Sequence, residues 1–177
     1  DFLIKENSKF DIKKHHTSYK GKINKDEAKE LLEIEKEKLR LLQEKLYADG
    51  SQSLLIVLQA MDAAGKDSLI EHVFGGVNPQ GCEVTSFKSP STKEYSHDFL
   101  WRHYLALPAK GKIGIFNRSY YEDVLIARVH PEILVSEHLP NIEKVKDIKE
   151  SFYADRYQDL RDYEAYLTRN GFKILKF

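Results

Sequence analysis

The sequence predicts an α/β protein: a parallel sheet held between two layers of helices, in three-layer α/β/α order. Three observations predict it. Apolar runs of strand length alternate with helix-length segments from residue 53 onward, the pattern of a parallel sheet covered on both faces. Chain breakers punctuate that alternation at Gly75-Gly76, near Pro131 and at Asn170-Gly171. The 177 residues are enough for one domain with a sizeable core, expected to occupy residues 1–177.

Residues 1–23 are polar and basic with no clear period and read as an arm. An N-terminal helix is expected over residues 24–49, because Ala28, Leu32, Leu39, Leu42 and Leu46 share one stripe. Asn24 and Glu27 have the spacing of a capping pair, and Gly50 is a stop. The α/β core follows over 53–177. Residues 54–59 read as a buried strand, and 67–74 as a helix ended by Gly75-Gly76. Residues 83–87 are a second strand. Ser91-Thr92-Lys93-Glu94 is a capping box expected to open a helix running to about residue 107. Residues 112–116 are a third strand and 120–129 a third helix of the core. A long helix then carries Phe152, Arg156, Leu160, Tyr163 and Leu167 on one side, and 172–177 form a fourth strand.

Lys plus Arg and Asp plus Glu each number 28, so the formal net charge is zero. That balance points to neither a nucleic-acid nor a membrane partner, and any anion site must be local. The lone cysteine, Cys82, excludes an internal disulfide and suits a reducing, cytoplasmic setting. The longest purely aliphatic run, 54–58, is far too short to span a bilayer, and no charged-then-apolar leader opens the chain. Both ends read as cut: the first residue is Asp1, and the sequence stops within an apparent strand at Phe177.

Ligands of such sheets bind beyond the carboxyl ends of the strands, and two loops there carry unusual residues. The first is Ala60-Met61-Asp62-Ala63-Ala64-Gly65-Lys66. Small side chains let backbone N–H groups curl round a phosphate, and the following helix adds its positive end. Lys66 supplies a full charge. Against the Walker A pattern G-x-x-x-x-G-K-[ST], Gly65 and Lys66 match. Ala60 replaces the first glycine, which requires a negative φ there, and Asp67 replaces the hydroxyl that binds Mg²⁺. Asp62 is then the first candidate metal ligand, with Asp67 and Ser68 behind it. The plain alternative is a helix N-terminus that Asp62 or Asp67 merely caps.

The second loop ends an apolar strand in Asn117-Arg118-Ser119. Asn117 stands where a Walker B strand has Asp and can still hold a metal-bound water. Arg118 can clamp a transferring phosphoryl group bidentately. Glu122 and Asp123, at the next helix start, can help position metal or lysine. An ordinary surface ion-pair cluster around a helix cap explains these three as well. Lys88 leaves the second strand toward the same edge, either to bind a nucleotide α-phosphate or as a surface lysine. Lys66, Arg118 and Lys88, and after them Arg128, are the cations that can gather phosphates.

"MDAAGKDS", "SFKSPS…HDFLWR" and "FNRSYYEDVLIARVHPE" stand in order along the chain. In these it resembles the family-2 polyphosphate kinases, whose phosphate loop also carries an Asp and ends in Gly-Lys without Ser or Thr. The resemblance runs from about residue 9 to the end. It implies a P-loop kinase-like core with Mg²⁺, or Mn²⁺ in its place, at the nucleotide phosphates. It also implies reversible phosphoryl transfer between inorganic polyphosphate and a nucleotide such as AMP, ADP, GDP or ATP. Asp62, Lys66 and Arg118 match the family's acid, lysine and arginine, with Ala63, Ala64, Gly65, Asp67 and Ser68 completing the phosphate loop. Asn117, Glu122 and Asp123 match the branch that uses nucleoside monophosphates as well as diphosphates. The helix over 24–47 and the resemblance both allow a homodimer or homotetramer. The family's Lys- and Arg-rich helical lid follows the fourth strand, so the resemblance leaves the lid outside this chain.

Two rival readings stay open at this point: an ATP-dependent nucleotide kinase, and a non-catalytic module that binds nucleotide or polyphosphate; a third, a purely structural α/β domain, leaves the two basic loops at one sheet edge unexplained. Phe99, Trp101 and Tyr104 are expected in the core rather than stacked on a base. His15, His16 and His130 lack metal-ligand spacing and read as surface residues. Arg156, Arg161 and Arg169 alternate with acids and are expected on an exposed ion-paired face.

Overall fold

The computed structural model describes residues 3–4, 8–15 and 21–177. His16 lies outside the described residues. Asn24 starts the first helix: its side chain accepts from the amides of Asp26 and Glu27, and Glu27 accepts from the Asn24 amide in return. Helix α1, Lys25–Asp49, ends where Gly50 adopts a φ of 61°. Its inner line runs through Ala28, Leu32, Leu39, Gln43 and Leu46 rather than through Leu42, which is 60 % exposed. The i, i+4, i+7 spacing of 39, 43 and 46 selects the amide over the leucine. Gly81 faces Gln43 so closely that a β-carbon there would collide with it.

Strands β1 (Ser53–Leu58), β2 (Cys82–Ser86), β3 (Ile113–Asn117) and β4 (Phe172–Lys176) form one parallel sheet in the order β2-β3-β1-β4. Successive side chains of a strand point to opposite faces. Leu55 and Val57 of β1 and Phe116 of β3 therefore join one core. They meet Tyr120, Val124 of α5 (Glu122–Val129), and Leu160, Tyr163 and Leu167 of α7 (Glu150–Arg169). Ile56 and Leu58, with Ile113 and Ile115, join the other core, against Leu46 of α1 and Ile70 and Phe74 of α2 (Lys66–Phe74). Both faces are covered, which makes three layers. Each fully buried aliphatic side chain contributes about 1.5–3 kcal/mol, so β1, which buries Leu55, Ile56, Val57 and Leu58, is the best-anchored strand.

The expected helix over 92–107 is instead two short ones, α3 (Thr92–Tyr95) and α4 (Trp101–Leu105). Ser91 and Glu94 do form the capping box, but Asp98 restarts the chain. Its carboxylate accepts from the Leu100 amide and its carbonyl from the Trp101 amide. Phe99 packs on the core and Trp101 is half-buried, stacked on His97, whereas Tyr104 is exposed and not a core residue. Beyond Pro131 a further turn, α6 (Glu132–Val135), buries Leu134 against Ala127 and Tyr153. Tyr153, not the half-buried Phe152, heads the inner line of α7.

Arg156 corrects the expectation of an exposed basic face. It is 4 % exposed, pairs with the equally sequestered Glu137, and lies over the Phe99 ring with 3.9 Å to its centroid. Arg161 and Arg169 are exposed, as expected. No helix among the described residues is long and apolar enough to cross a membrane.

Candidate functional site

β1 hands the chain to α2 on one face of the sheet, and its neighbour β3 hands it to α5 on the other. Two adjacent strands whose connections leave in opposite directions open a crevice at their carboxyl ends. A cavity of about 590 Å³ lies there, lined by residues 62–68, 86–88 and 117–118. Asp62, Ala63, Ala64, Gly65, Lys66, Asp67, Ser68, Lys88, Asn117 and Arg118 are thus brought together. Ser86 and Phe87 line it too. They carry no charge, and only their position beside Lys88 at the end of β2 could have marked them.

The first loop bends as a phosphate cradle requires. Ala60 keeps a negative φ, so the missing glycine costs nothing there, while Ala63 (φ 59°) and Gly65 (φ 91°) are left-handed. Gly65 is the residue that needs to be glycine, since a side chain at that φ is strained whatever the space. It is also the N-cap of α2 and has no side chain to cover the first helix amides. Lys66 donates to the carbonyls of Ala60 and Met61, each at 2.8 Å, which closes the loop on itself.

The second loop starts with Arg118, another left-handed residue (φ 65°), whose amide still donates to the Leu58 carbonyl of β1 at 3.0 Å. Holding a non-glycine residue there costs of order 1–2 kcal/mol and turns the side chain out of the strand. Arg118 pairs with Asp62 across the crevice. The side chains are 38 % and 84 % exposed, and such a pair contributes at most about 1 kcal/mol, so a phosphate can displace it. Asn117 donates its amide to Asp67 at 2.6 Å, tying the end of β3 to the first turn of α2.

Three residues expected at the site do not line the cavity. Glu122 accepts from Gln59 at 3.0 Å, and the same Gln59 accepts from the buried Ser119 hydroxyl at 3.0 Å. This brace across β1 and β3 rests on Gln59, which nothing in its neighbourhood had singled out. Asp123 follows Glu122 by one residue, which turns it about 100° round the helix and into the interior. It is buried, and desolvation pushes its carboxyl up to about 7, against the partial relief given by Arg102 and Arg156. Arg128 sits in the last turn of α5, pairs with Glu150 and stacks on Tyr153 at 4.9 Å. His130 is exposed beside Glu132, and His15 is exposed beside Phe10, as expected of surface residues.

Asp62 and Asp67 are the carboxylates at the cavity. No group of three or more His, Cys, Asp or Glu among the described residues is arranged to hold a metal alone. That donor set fits a hard ion taking one or two carboxylates and completing its shell with phosphate oxygens and water.

Comparison with known proteins gives one family. The model of Polyphosphate kinase 2 (PPK2) matches residues 22–177. An ADP-polyphosphate phosphotransferase of Rhodopseudomonas palustris is 49 % identical over 99 % of this chain and 60 % of its own length. An AMP/ADP-polyphosphate phosphotransferase of Meiothermus ruber is 38 % identical over 99 % of this chain and 61 % of its own. The crystal structure of Polyphosphate Kinase 2 from Arthrobacter aurescens TC1 superposes with a TM-score of 0.80 at 38 % identity, covering 96 % of this chain and 56 % of that one. The chain therefore spans about three-fifths of the length of the curated relatives it matches. With its two loops meeting at the β1–β3 crevice and the family pattern running through nearly all of it, the chain belongs to the polyphosphate kinase 2 family.

Proposed function

We propose that this chain carries the machinery for phosphoryl transfer between inorganic polyphosphate and a nucleoside mono- or diphosphate. The observation that carries the reading is the meeting of Lys66 and Arg118 in one cavity, with Lys88 on its wall. Three cations against the carboxylates of Asp62 and Asp67 leave the cavity with an excess of positive charge suited to a polyanion, in a chain of zero net charge. The relatives' names support polyphosphate as one substrate and AMP or ADP as the other; a GDP-polyphosphate phosphotransferase of Mycolicibacterium smegmatis, 32 % identical over 71 % of this chain, extends the range to GDP.

In the proposed reaction a terminal phosphate oxygen of the nucleotide attacks the end phosphorus of polyphosphate. A phosphorus–oxygen bond of the polymer breaks, and the shortened polymer leaves. The attacking oxygen is already anionic and needs no strong base. Positioning and charge neutralisation do the work. The first α2 amides and Lys66 bind phosphate oxygens, Arg118 neutralises those that gather charge, and Lys88 holds the nucleotide. Mg²⁺, or Mn²⁺, would be held by Asp62 with Asp67 beside it, and supplies further charge neutralisation when bound. Nucleotide and polyphosphate pools fit a cytoplasmic protein. The exposed Leu31, Ile34 and Leu41 of α1 support a homodimer or homotetramer, which sedimentation would report.

The test supplies the full-length protein with polyphosphate, Mg²⁺ and either AMP or ADP, and separates products by chromatography. ADP and ATP are expected, with faster turnover from polyphosphate than from ATP as donor. Lys66→Ala and Arg118→Ala should each fold and lose roughly a hundredfold in rate, about 3 kcal/mol of barrier. Transfer from ATP alone would instead favour an ordinary nucleotide kinase. Binding without transfer would favour a non-catalytic module, and near-normal rates in either variant would remove these residues from the mechanism.

A further inference from the structure

Sheet pairing at the end of β2 stops at Phe87, whose amide donates to the Asn117 carbonyl at 3.0 Å. The next carbonyl, that of Lys88, is held by a side chain: Arg102 of α4 donates to it through Nη1 at 2.7 Å. The same guanidinium lies over the Phe87 ring, 5.5 Å from its centroid, and 4.0 Å from Glu94. Its side chain is only 10 % exposed. Glu94 is fixed in turn by the Ser91 amide and hydroxyl, each at 2.7 Å. Behind Arg102 a chamber of about 20 Å³, room for about one water, is bounded by Glu94, Asp98, Asp123 and Glu137 as well as by Arg102. Asp123 lies in the first turn of the helix that follows the Arg118 turn. One cation therefore touches the wall of the phosphate cavity on one side and shares a chamber lined by four carboxylate residues on the other.

We infer that Arg102 is a positioning residue for the transfer reaction: it fixes the Phe87–Lys88 segment, so that Lys88 meets the nucleotide. The inference rests on the function proposed above. A planar guanidinium suits the role because it can stack on an aromatic ring and donate in the plane at the same time. A loop residue just past the last ladder bond has no other anchor of comparable strength, and a misplaced lysine is a weaker phosphate ligand.

The test compares wild type, Lys88→Ala, Arg102→Met, Arg102→Lys and the double variant Arg102→Met/Lys88→Ala in the full-length protein. Polyphosphate-to-nucleotide kinetics, ADP titration calorimetry and thermal melting are read for each. Arg102→Met should raise the nucleotide KM and weaken ADP binding about tenfold, equivalent to about 1.4 kcal/mol, while kcat changes less. The double variant should be no worse than Lys88→Ala, because both changes remove one contact. An unchanged KM, or losses that multiply in the double variant, overturns the inference. If Arg102→Met fails to fold, Arg102→Lys decides: it keeps the charge but not the planar fork, and an unchanged nucleotide KM there overturns the inference equally. A wild type that binds ADP but transfers nothing from polyphosphate would sink the kinase reading alone, with the ADP titrations still judging Arg102.

Discussion

Replacing Asp123 by Asn should make the protein's stability less sensitive to pH, and the structure sets the size of the effect. Asp123 is buried at the start of α5, and its Oδ2 has no hydrogen-bond partner. Burial is the largest influence on it, Arg102 and Arg156 pull its ionisation down, and Glu137 and Glu122 push it up. The outcome is a carboxyl that titrates near 7 when folded, against 3.8 for an ordinary Asp. Unfolding therefore releases a proton between those values, and a rising pH favours the unfolded chain across that window. The stability linked to this group is fully present below about pH 4 and is lost as the pH passes about 7. A rise of roughly three pH units at about 1.4 kcal/mol each corresponds to about 4 kcal/mol in all, of which some 3 kcal/mol falls between pH 5 and pH 8. Asparagine has nearly the same shape and no proton to lose. Urea unfolding of wild type and Asp123→Asn, followed by the fluorescence of Trp101, should show the variant gaining on the wild type by roughly that amount from pH 5 to pH 8. Other titrating groups are common to both proteins and cancel in the comparison. A stability difference that stays constant over this range to within about 0.5 kcal/mol would refute the reasoning, because it would mean that Asp123 ionises as freely folded as unfolded.

Other consequences follow from particular contacts. Arg156→Ala leaves Glu137 buried and unpaired and should cost about 3–5 kcal/mol in urea unfolding, whereas Arg156→Met with Glu137→Leu should recover most of it; a single variant within 1 kcal/mol of wild type would contradict the buried pair. Gly114→Ala puts a β-carbon 2.7 Å from the Pro108 ring and should cost about 1–3 kcal/mol by the same measurement, with a neutral result showing that the loop yields freely. Asp62→Ala should raise the Mg²⁺ concentration for half-maximal transfer by about tenfold, read from titrations at fixed polyphosphate and nucleotide; an unchanged requirement would assign the metal elsewhere.

Much of the scaffold was legible because its signals are local. The period of apolar residues, the Asn24–Glu27 and Ser91–Glu94 boxes and the glycine stops are decided within four or five residues of chain. The charged members of the cavity were legible for a related reason: a loop that follows a buried strand ends up at the sheet edge, whatever its partners. Direction round a helix was not legible at single-residue precision. Glu122 and Asp123 are neighbours in sequence, yet one is held by Gln59 and the other enters the core, because the start of α5 fixes the phase and no nearby residue announces it. Arg128 lies six residues beyond Glu122, about 9 Å along the axis, and so joins α7 instead of the cavity. Arg156 failed for want of a visible partner: its acid, Glu137, stands 19 residues earlier, and only tertiary packing brings the two together.

The partners of the two central cations explain how a neutral protein can hold them close. Lys66 is held by two carbonyls of its own loop and Arg118 by Asp62, so neither charge points freely into solvent. A bound phosphate must compete with these partners, and the contest is uneven. Carbonyls are neutral acceptors, and the exposed Arg118–Asp62 pair contributes at most about 1 kcal/mol, whereas a charged phosphate oxygen makes hydrogen bonds roughly twice as strong as a neutral one. The side chains meanwhile are already ordered, which spares part of the approximately 2 kcal/mol of rotamer entropy that fixing a free lysine or arginine would cost. Under the proposed function, a phosphate that takes Arg118 would leave Asp62 available to a metal ion. On that reading the ion pair would couple two events, arrival of the polyanion at Arg118 and release of a carboxylate to Mg²⁺, in a cavity where Lys66, Asp62 and Arg118 all meet.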